Sequence, residues 1–229
     1  MKRILYGIGV GPGEPELMTI KAYHAIQNSD VIILPAKDKE SCYAYQVVVQ
    51  ICPEIEEKEI LCRDFPMRKE ALEKVHDMVY QEIADFLEQG KNVAFLTLGD
   101  PSVYSTYTYM EKRARGEQKE TVTISGVPSF CAACARLGIP LAENKEQIHI
   151  IPASYEVKDS LSLPGTKVYM KAGKKLAALK EQLEPLEQAG EVVVYAVTNC
   201  GMPGEKLYYS IKEIEDKAGY FTLLIVKEP

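Results

Sequence analysis

No apolar run in the 229 residues approaches the roughly 18 that a membrane-spanning helix needs, so the sequence predicts a soluble protein. Positive charge is not in excess either. Against 33 Asp and Glu stand 27 Lys and Arg, a formal charge of -6, and no global field draws in nucleic acid or anionic lipid. Any anionic ligand has to be gripped locally. The first sixteen residues carry basic groups, but their apolar stretch is short, half glycine and followed by acids, unlike a secretory signal. Cytoplasm is therefore the expected location. There the six cysteines, Cys42, Cys52, Cys62, Cys131, Cys134 and Cys200, are expected as free thiols that pack as small hydrophobes. Repeats of fixed period and low-complexity segments are also missing.

Two familiar glycine motifs are absent as well. Tyr6-Gly7-Ile8-Gly9-Val10-Gly11-Pro12-Gly13 is glycine-dense. A dinucleotide fingerprint starting at Gly7 meets Pro12 where its third glycine belongs, and one starting at Gly9 meets Glu14. No Gly-Lys-Ser/Thr follows at the spacing of a phosphate-binding P-loop. The glycine loop of Rossmann-type methyltransferases has the right alternation here. It lacks the acid two residues before Gly7, where Leu5 stands, and a ribose-binding acid after the second strand, where the chain reads Leu34-Pro35-Ala36. A glycine-rich turn that admits tight packing of Pro12 and Pro15 remains open.

What is present reads as α/β. Hydrophobic residues make up 46% of the chain, and a chain of this length buries about 70% of its unfolded surface, enough for one large domain or two small ones. Strands are expected at Ile4–Val10, Asp30–Leu34, Lys58–Cys62, Asn92–Leu98, Val122–Ser125, Ile148–Pro152, Thr166–Met170, Val192–Val197 and Phe221–Val226. Helices are expected at Glu16–Gln27, Lys69–Glu88 and Lys174–Gln188 from apolar residues near the 3.6-residue period, with another starting near Pro128. The charged segment Arg113–Glu120 suggests a boundary, giving domains 1–117 and 118–229. At Gly99-Asp100-Pro101 the sequence predicts a tight turn into a helix, with Pro101 in its first turn and Asp100 as a possible cap.

Three loops in order give the chain a relative. Gly9-Val10-Gly11-Pro12-Gly13-Glu14-Pro15-Glu16-Leu17-Met18-Thr19, then Gly99-Asp100-Pro101 with Tyr104, then Ser125-Gly126-Val127-Pro128-Ser129 resemble the signature segments of the tetrapyrrole methylase family. Val168-Tyr169-Met170, residues 197–203 and residues 219–226 resemble its later strands, so the likeness spans the chain. It implies two α/β domains, the first with a mostly parallel sheet and the second with a mixed one, and a ligand cleft between them. It also implies S-adenosylmethionine (SAM) as methyl donor, giving S-adenosylhomocysteine, with contacts at Pro12, Gly99, Asp100, Val103, Pro128, Ser129, Met170, Cys200 and Thr222. Tyr104-Ser105-Thr106 in place of a more usual Tyr-Gly, and Leu34-Pro35-Ala36, resemble the members that methylate C20 of precorrin-2 or cobalt-factor II in cobalamin synthesis. Ser125 and Thr198-Asn199-Cys200-Gly201 depart from the family's usual residues.

The implied acceptor carries several ionised carboxylate arms. Gly11, Gly13, Lys37, Arg63, Arg68 and Tyr104 are its expected contacts, with Lys21 and Arg113 as further cations. Glu14, Asp100 and Tyr104 lie near enough by loop position to accept the departing proton, beside water or a substrate carboxylate, and the sequence selects no catalytic base. His24, His76 and His149 read as packing or capping residues, although His149 could also meet a cobalt. Cys131 and Cys134 have thiol-redox spacing without a second pair, so no protein-bound metal is expected. A homodimer is implied by the family. Methylation at another ring position, a macromolecule-directed relative such as diphthine synthase, and a non-catalytic SAM or tetrapyrrole sensor remain alternatives.

Overall fold

Strand β1 (Ile4–Gly9) lies in a parallel sheet with β2 (Val31–Leu34), β3 (Glu59–Cys62), β4 (Val93–Thr97) and β5 (Glu120–Ile124), ordered β3-β2-β4-β1-β5. The computed structural model describes residues 3–66, 69–153, 158–216 and 219–229, which form two units, Met1–Pro128 and Ser129–Pro229. Among these residues no helix is long and apolar enough to cross a membrane.

Strand alternation assigns the two faces of the first sheet. Ile8, Ile32, Leu34, Ala94 and Leu96 pack with α1 (Ile20–Gln27) and α2 (Tyr43–Val49). Leu5, Val31, Ile33, Val93 and Phe95 pack with α3 (Lys69–Glu88) and α4 (Tyr107–Gly116). Successive strand residues point to opposite faces, so central strands covered by helices on both sides become apolar throughout. The Thr19 hydroxyl starts α1 by accepting from the Ala22 N–H at 3.1 Å. At its far end the Lys58 ammonium donates to the carbonyls of Gln27 and Ser29, at 2.9 and 2.6 Å.

The second sheet has the order β6-β7-β10-β8-β9, from β6 (Ile148–Pro152), β7 (Thr166–Met170), β8 (Val193–Thr198), β9 (Lys206–Tyr208) and β10 (Thr222–Lys227). Only β6 and β7 are parallel, so the sheet is mixed. The N-terminal helix of this unit, α5 (Ser129–Leu137), packs against β8 and β10. Leu176, Leu179 and Leu183 of α6 (Leu176–Gln188) pack on Tyr169, Leu224, Val194 and Ala196.

Two sequence expectations change. The units divide after Pro128 rather than at 117/118, because Glu120–Ile124 pairs in register with β1 and is the edge of the first sheet. Arg113 to Gly116 is not a linker but the last turn of α4, where Ala114 is buried, Arg113 is paired with Asp77 and Glu73 of α3, and Arg115 is exposed. The short α2 carried no helical signal, since its Val47-Val48-Val49 favours strands until burial of Ala44, Tyr45, Val47 and Val48 decides otherwise.

His76 on α3 is fully buried, stacked on Tyr109 at 4.3 Å between ring centroids, and neither ring nitrogen has a hydrogen-bond partner. Burial, reinforced by the Arg113 charge, holds its pKa below 6.5, against the opposing pull of Glu73 and Asp77. The unfolded chain then binds the proton more readily than the folded one, so this group's contribution is complete above pH 6.5 and is lost as pH falls towards the folded pKa. H76F removes an unpaired polar group and keeps a ring in place. It is expected to raise stability at pH 7 by about 1 kcal/mol and to flatten the fall in melting temperature between about pH 7 and 5.5, checked by calorimetry at both pH values.

Candidate functional site

The chain leaves β1 towards β2 on one side and leaves β4 towards β5 on the other, through helices on opposite faces. The carboxyl ends of these neighbouring strands therefore form a topological switch point, where open parallel sheets bind ligands. Here the sequence places its glycine loop and the Gly-Asp-Pro turn side by side. Gly11 and Gly99 form a two-hydrogen-bond bridge, with N–H to O distances of 3.3 and 2.7 Å. The loop after β5 joins them. A Cβ on Gly9 would lie 2.5 Å from the Gly126 nitrogen and 2.7 Å from the Gly99 oxygen, and one on Gly126 would overlap that same oxygen. The three loops touch through bare backbone. Gly99 itself, at φ +77, has open space where a Cβ would point.

Asp100 fastens this arrangement. Buried to 8% exposure, its Oδ2 accepts from the Gly126 N–H at 3.0 Å, while Oδ1 accepts from the Ser102 N–H at 2.7 Å and the Ser102 hydroxyl at 2.5 Å. The expected helix at Pro101 does not form, because α4 starts only at Tyr107 and Asp100 closes a side-chain turn instead of capping a helix. With a donor on each oxygen, Asp100 clamps the backbone of Ser102 to that of Gly126. Tyr104 adopts the left-handed φ of 48° and its side chain is 47% exposed. Ser105 braces it: its hydroxyl shares a 3.0 Å hydrogen bond with Thr97 and accepts from the Tyr107 N–H at 3.1 Å, fixing the start of α4.

In the second unit another set gathers at the ends of neighbouring strands. Thr222 opens β10 opposite Thr198 at the end of β8, and their hydroxyls lie 3.4 Å apart. Leu224 pairs with Tyr169, which puts the start of β10 beside Met170 at the end of β7. Cys200, buried, follows in the β8–β9 loop. Pro12, Gly99, Asp100, Val103 and Pro128 thus belong to the first unit and Ser129, Met170, Cys200 and Thr222 to the second.

The expected cations fare differently. Arg63 follows β3, but its guanidinium forks onto Glu82 at 2.7 and 2.8 Å, a hydrogen-bonded pairing that raises its pKa. Arg113 is held by Asp77 and Glu73 on the flank of α3. Both are committed to neighbouring carboxylates, a commitment that their sequence positions did not reveal. Lys37 is exposed and only 4.0 Å from Asp64, and Lys21 is exposed on α1. Arg68 lies outside the described residues. The His149 Nε2 is 3.0 Å from the Pro164 carbonyl. Burial raises the thiol pKa of Cys131 and pushes that of Cys134 up to about 11, so neither favours the reactive thiolate at neutral pH. Among the described residues no cluster of His, Cys, Asp or Glu could hold a metal ion.

A doubly wound parallel sheet with backbone-lined loops at its switch point, followed by a mixed sheet, defines a two-domain small-molecule enzyme fold. The model of the tetrapyrrole (corrin/porphyrin) methylases matches residues 4–215, and the chain belongs to that family. It is a SAM-dependent methyltransferase of the tetrapyrrole class. The chain is 30% identical to the cobalt-precorrin-2 C(20)-methyltransferase of Salmonella typhimurium, over 98% of this chain and 96% of that protein. It is 28% identical to the probable cobalt-precorrin-2 C(20)-methyltransferase of Methanocaldococcus jannaschii, over 97% and 95%. In fold it is similar to the uroporphyrin-III C-methyltransferase of Thermus thermophilus solved with S-adenosylhomocysteine. That likeness has a TM-score of 0.71 at 18% identity and covers 99% of this chain and 97% of the other.

Proposed function

We propose that the chain transfers the methyl group of SAM to C20 of precorrin-2 or cobalt-factor II in cobalamin synthesis. The carrying observation is the near-complete overlap with two relatives that bear that C20 name. SAM contacts are assigned to Pro12, Gly99, Asp100, Val103, Pro128, Ser129, Met170, Cys200 and Thr222. The open space above Gly99 leaves room for the donor, and a cationic sulfonium needs neither an enzymic nucleophile nor a phosphate-type anion site.

In the transfer, the tetrapyrrole carbon attacks the methyl carbon, the carbon–sulfur bond breaks with its electron pair returning to sulfur, and a proton leaves the acceptor carbon. Positive charge on sulfur disappears, so alignment is the main requirement and can supply on the order of 7–11 kcal/mol. Gly11, Gly13 and Tyr104 are assigned to the tetrapyrrole face, and Lys37, with Lys21, to its carboxylate arms. Arg63 contributes there only if it exchanges Glu82 for the substrate. A homodimer in the cytoplasm completes the reading, and the free thiols fit a reducing compartment.

The test incubates the protein anaerobically with labelled SAM and either precorrin-2 or cobalt-factor II. A trimethylated product with the new methyl at C20, located by NMR, is the expected result. A methyl at another ring position, or S-adenosylhomocysteine binding without turnover, sinks the C20 assignment. Comparing the rates on the metal-free and cobalt-bearing acceptors identifies the natural one.

A further inference from the structure

The β8–β9 loop, residues 199–205, turns through three left-handed positions, Asn199 at φ 52, Gly201 at φ 69 and Gly204 at φ 79. Such a path is not set by the strand ladder, and it is closed by short hydrogen bonds from Met202 N–H to the Asn199 carbonyl and from Glu205 N–H to the Met202 carbonyl, at 2.9 and 3.1 Å. One carboxylate ties it to the rest of the unit. Glu205 Oε1 accepts from the Gly201 N–H at 2.9 Å, and both of its oxygens are engaged by the Arg136 guanidinium on α5, through Nε at 3.1 and 3.0 Å and through Nη2. The Cys200 thiol also hydrogen-bonds to this carboxylate. Burial opposes the charge, yet Arg136, the Gly201 N–H and Cys200 together hold the Glu205 pKa below the usual carboxylate value.

We propose that Glu205, anchored by Arg136, is a positioning residue for SAM: it fixes the backbone of Cys200 and Gly201, and with it the donor-binding edge of the second unit. The inference rests on the assignment of Cys200 to the SAM site. Arg136 and Glu205 do not touch the donor. They hold the loop in a single geometry before binding, so that less ordering cost is incurred when the donor arrives. Gly201 N–H is the group most exposed to loss, because removal of the carboxylate leaves a donor without its acceptor.

The test compares wild type, E205A, E205Q and R136M, first by calorimetric titration with S-adenosylhomocysteine and then by steady-state kinetics with SAM. E205A is expected to weaken S-adenosylhomocysteine binding and raise the KM for SAM roughly tenfold, while kcat at saturating SAM and the KM for the tetrapyrrole change less than about threefold. E205Q keeps an acceptor for the Gly201 N–H and should recover most of the affinity. R136M should fall between the two. A folded E205A that binds as wild type does overturns the positioning role, as does an equal loss in E205A and E205Q or a fall in kcat alone. Wild type that fails to bind S-adenosylhomocysteine overturns the SAM assignment itself, and the positioning role with it.

Discussion

Replacing Gly126 by alanine should abolish measurable S-adenosylhomocysteine binding while leaving a folded protein. The new Cβ would overlap the Gly99 oxygen and lie 2.8 Å from the Gly9 carbonyl carbon, and both are backbone atoms that no rotamer change can move aside. Overpacking of this kind costs about 1–3 kcal/mol. For a chain of this size that lowers the melting temperature by roughly 2–4 °C per kcal/mol. The larger effect falls on binding, since Gly9 ends β1 and Gly99 follows β4 at the switch point, and forcing them apart displaces the backbone assigned to the donor. Gly116 is the internal control. It closes α4, a Cβ added there would meet nothing within 4 Å, and its φ is not left-handed, so G116A should be neutral or stabilising by up to about 1 kcal/mol. Calorimetric titration of both variants decides the matter: binding by G126A within about twofold of wild type would falsify the close-packed loop account.

Loss of the Asp100 carboxylate should be nearly as damaging, and the amide should not rescue it. D100A strands the buried Gly126 N–H and frees Ser102, a loss of about 1–3 kcal/mol for the orphaned donor alone. In D100N one of the two oxygens becomes an NH2 group. Whichever way the amide turns, that NH2 meets a backbone N–H, that of Gly126 or that of Ser102. Both variants are therefore expected to lower kcat/KM for SAM at least about 30-fold, with D100N within about threefold of D100A. A D100N enzyme with near wild-type kcat/KM would mean that only one of the two hydrogen bonds matters. Glu205 differs in this respect: there the amide keeps the contact that counts, because only one loop N–H has to be satisfied.

The elements of the chain were readable to different depths. Strands β1, β2 and β4 are central and covered on both faces, so they stand out as short apolar runs, and α3 shows a clean helical period over its whole length. The three-residue β9 and the seven-residue α2 are too short for a period to emerge, and the charges of Arg113 and Arg115 concealed the end of α4. Among the site residues, the glycines were visible because close approach requires them. Glu205 was not, since its partner Arg136 lies 69 positions away and an acid after a loop carries no local signal.

The sequence by itself determined the α/β class, the order of the loops and the family, because glycines and prolines at strand ends impose backbone shapes that few other residues permit. Only the tertiary structure decided which charges remain for a ligand. Arg63, Arg113 and Lys37 look alike as candidate cations along the chain, yet Arg63 and Arg113 are held by acids distant in sequence, Glu82 and Asp77, while Lys37 is exposed. A charge is available to a substrate only when its own neighbours leave it unsatisfied, and that depends on packing in three dimensions.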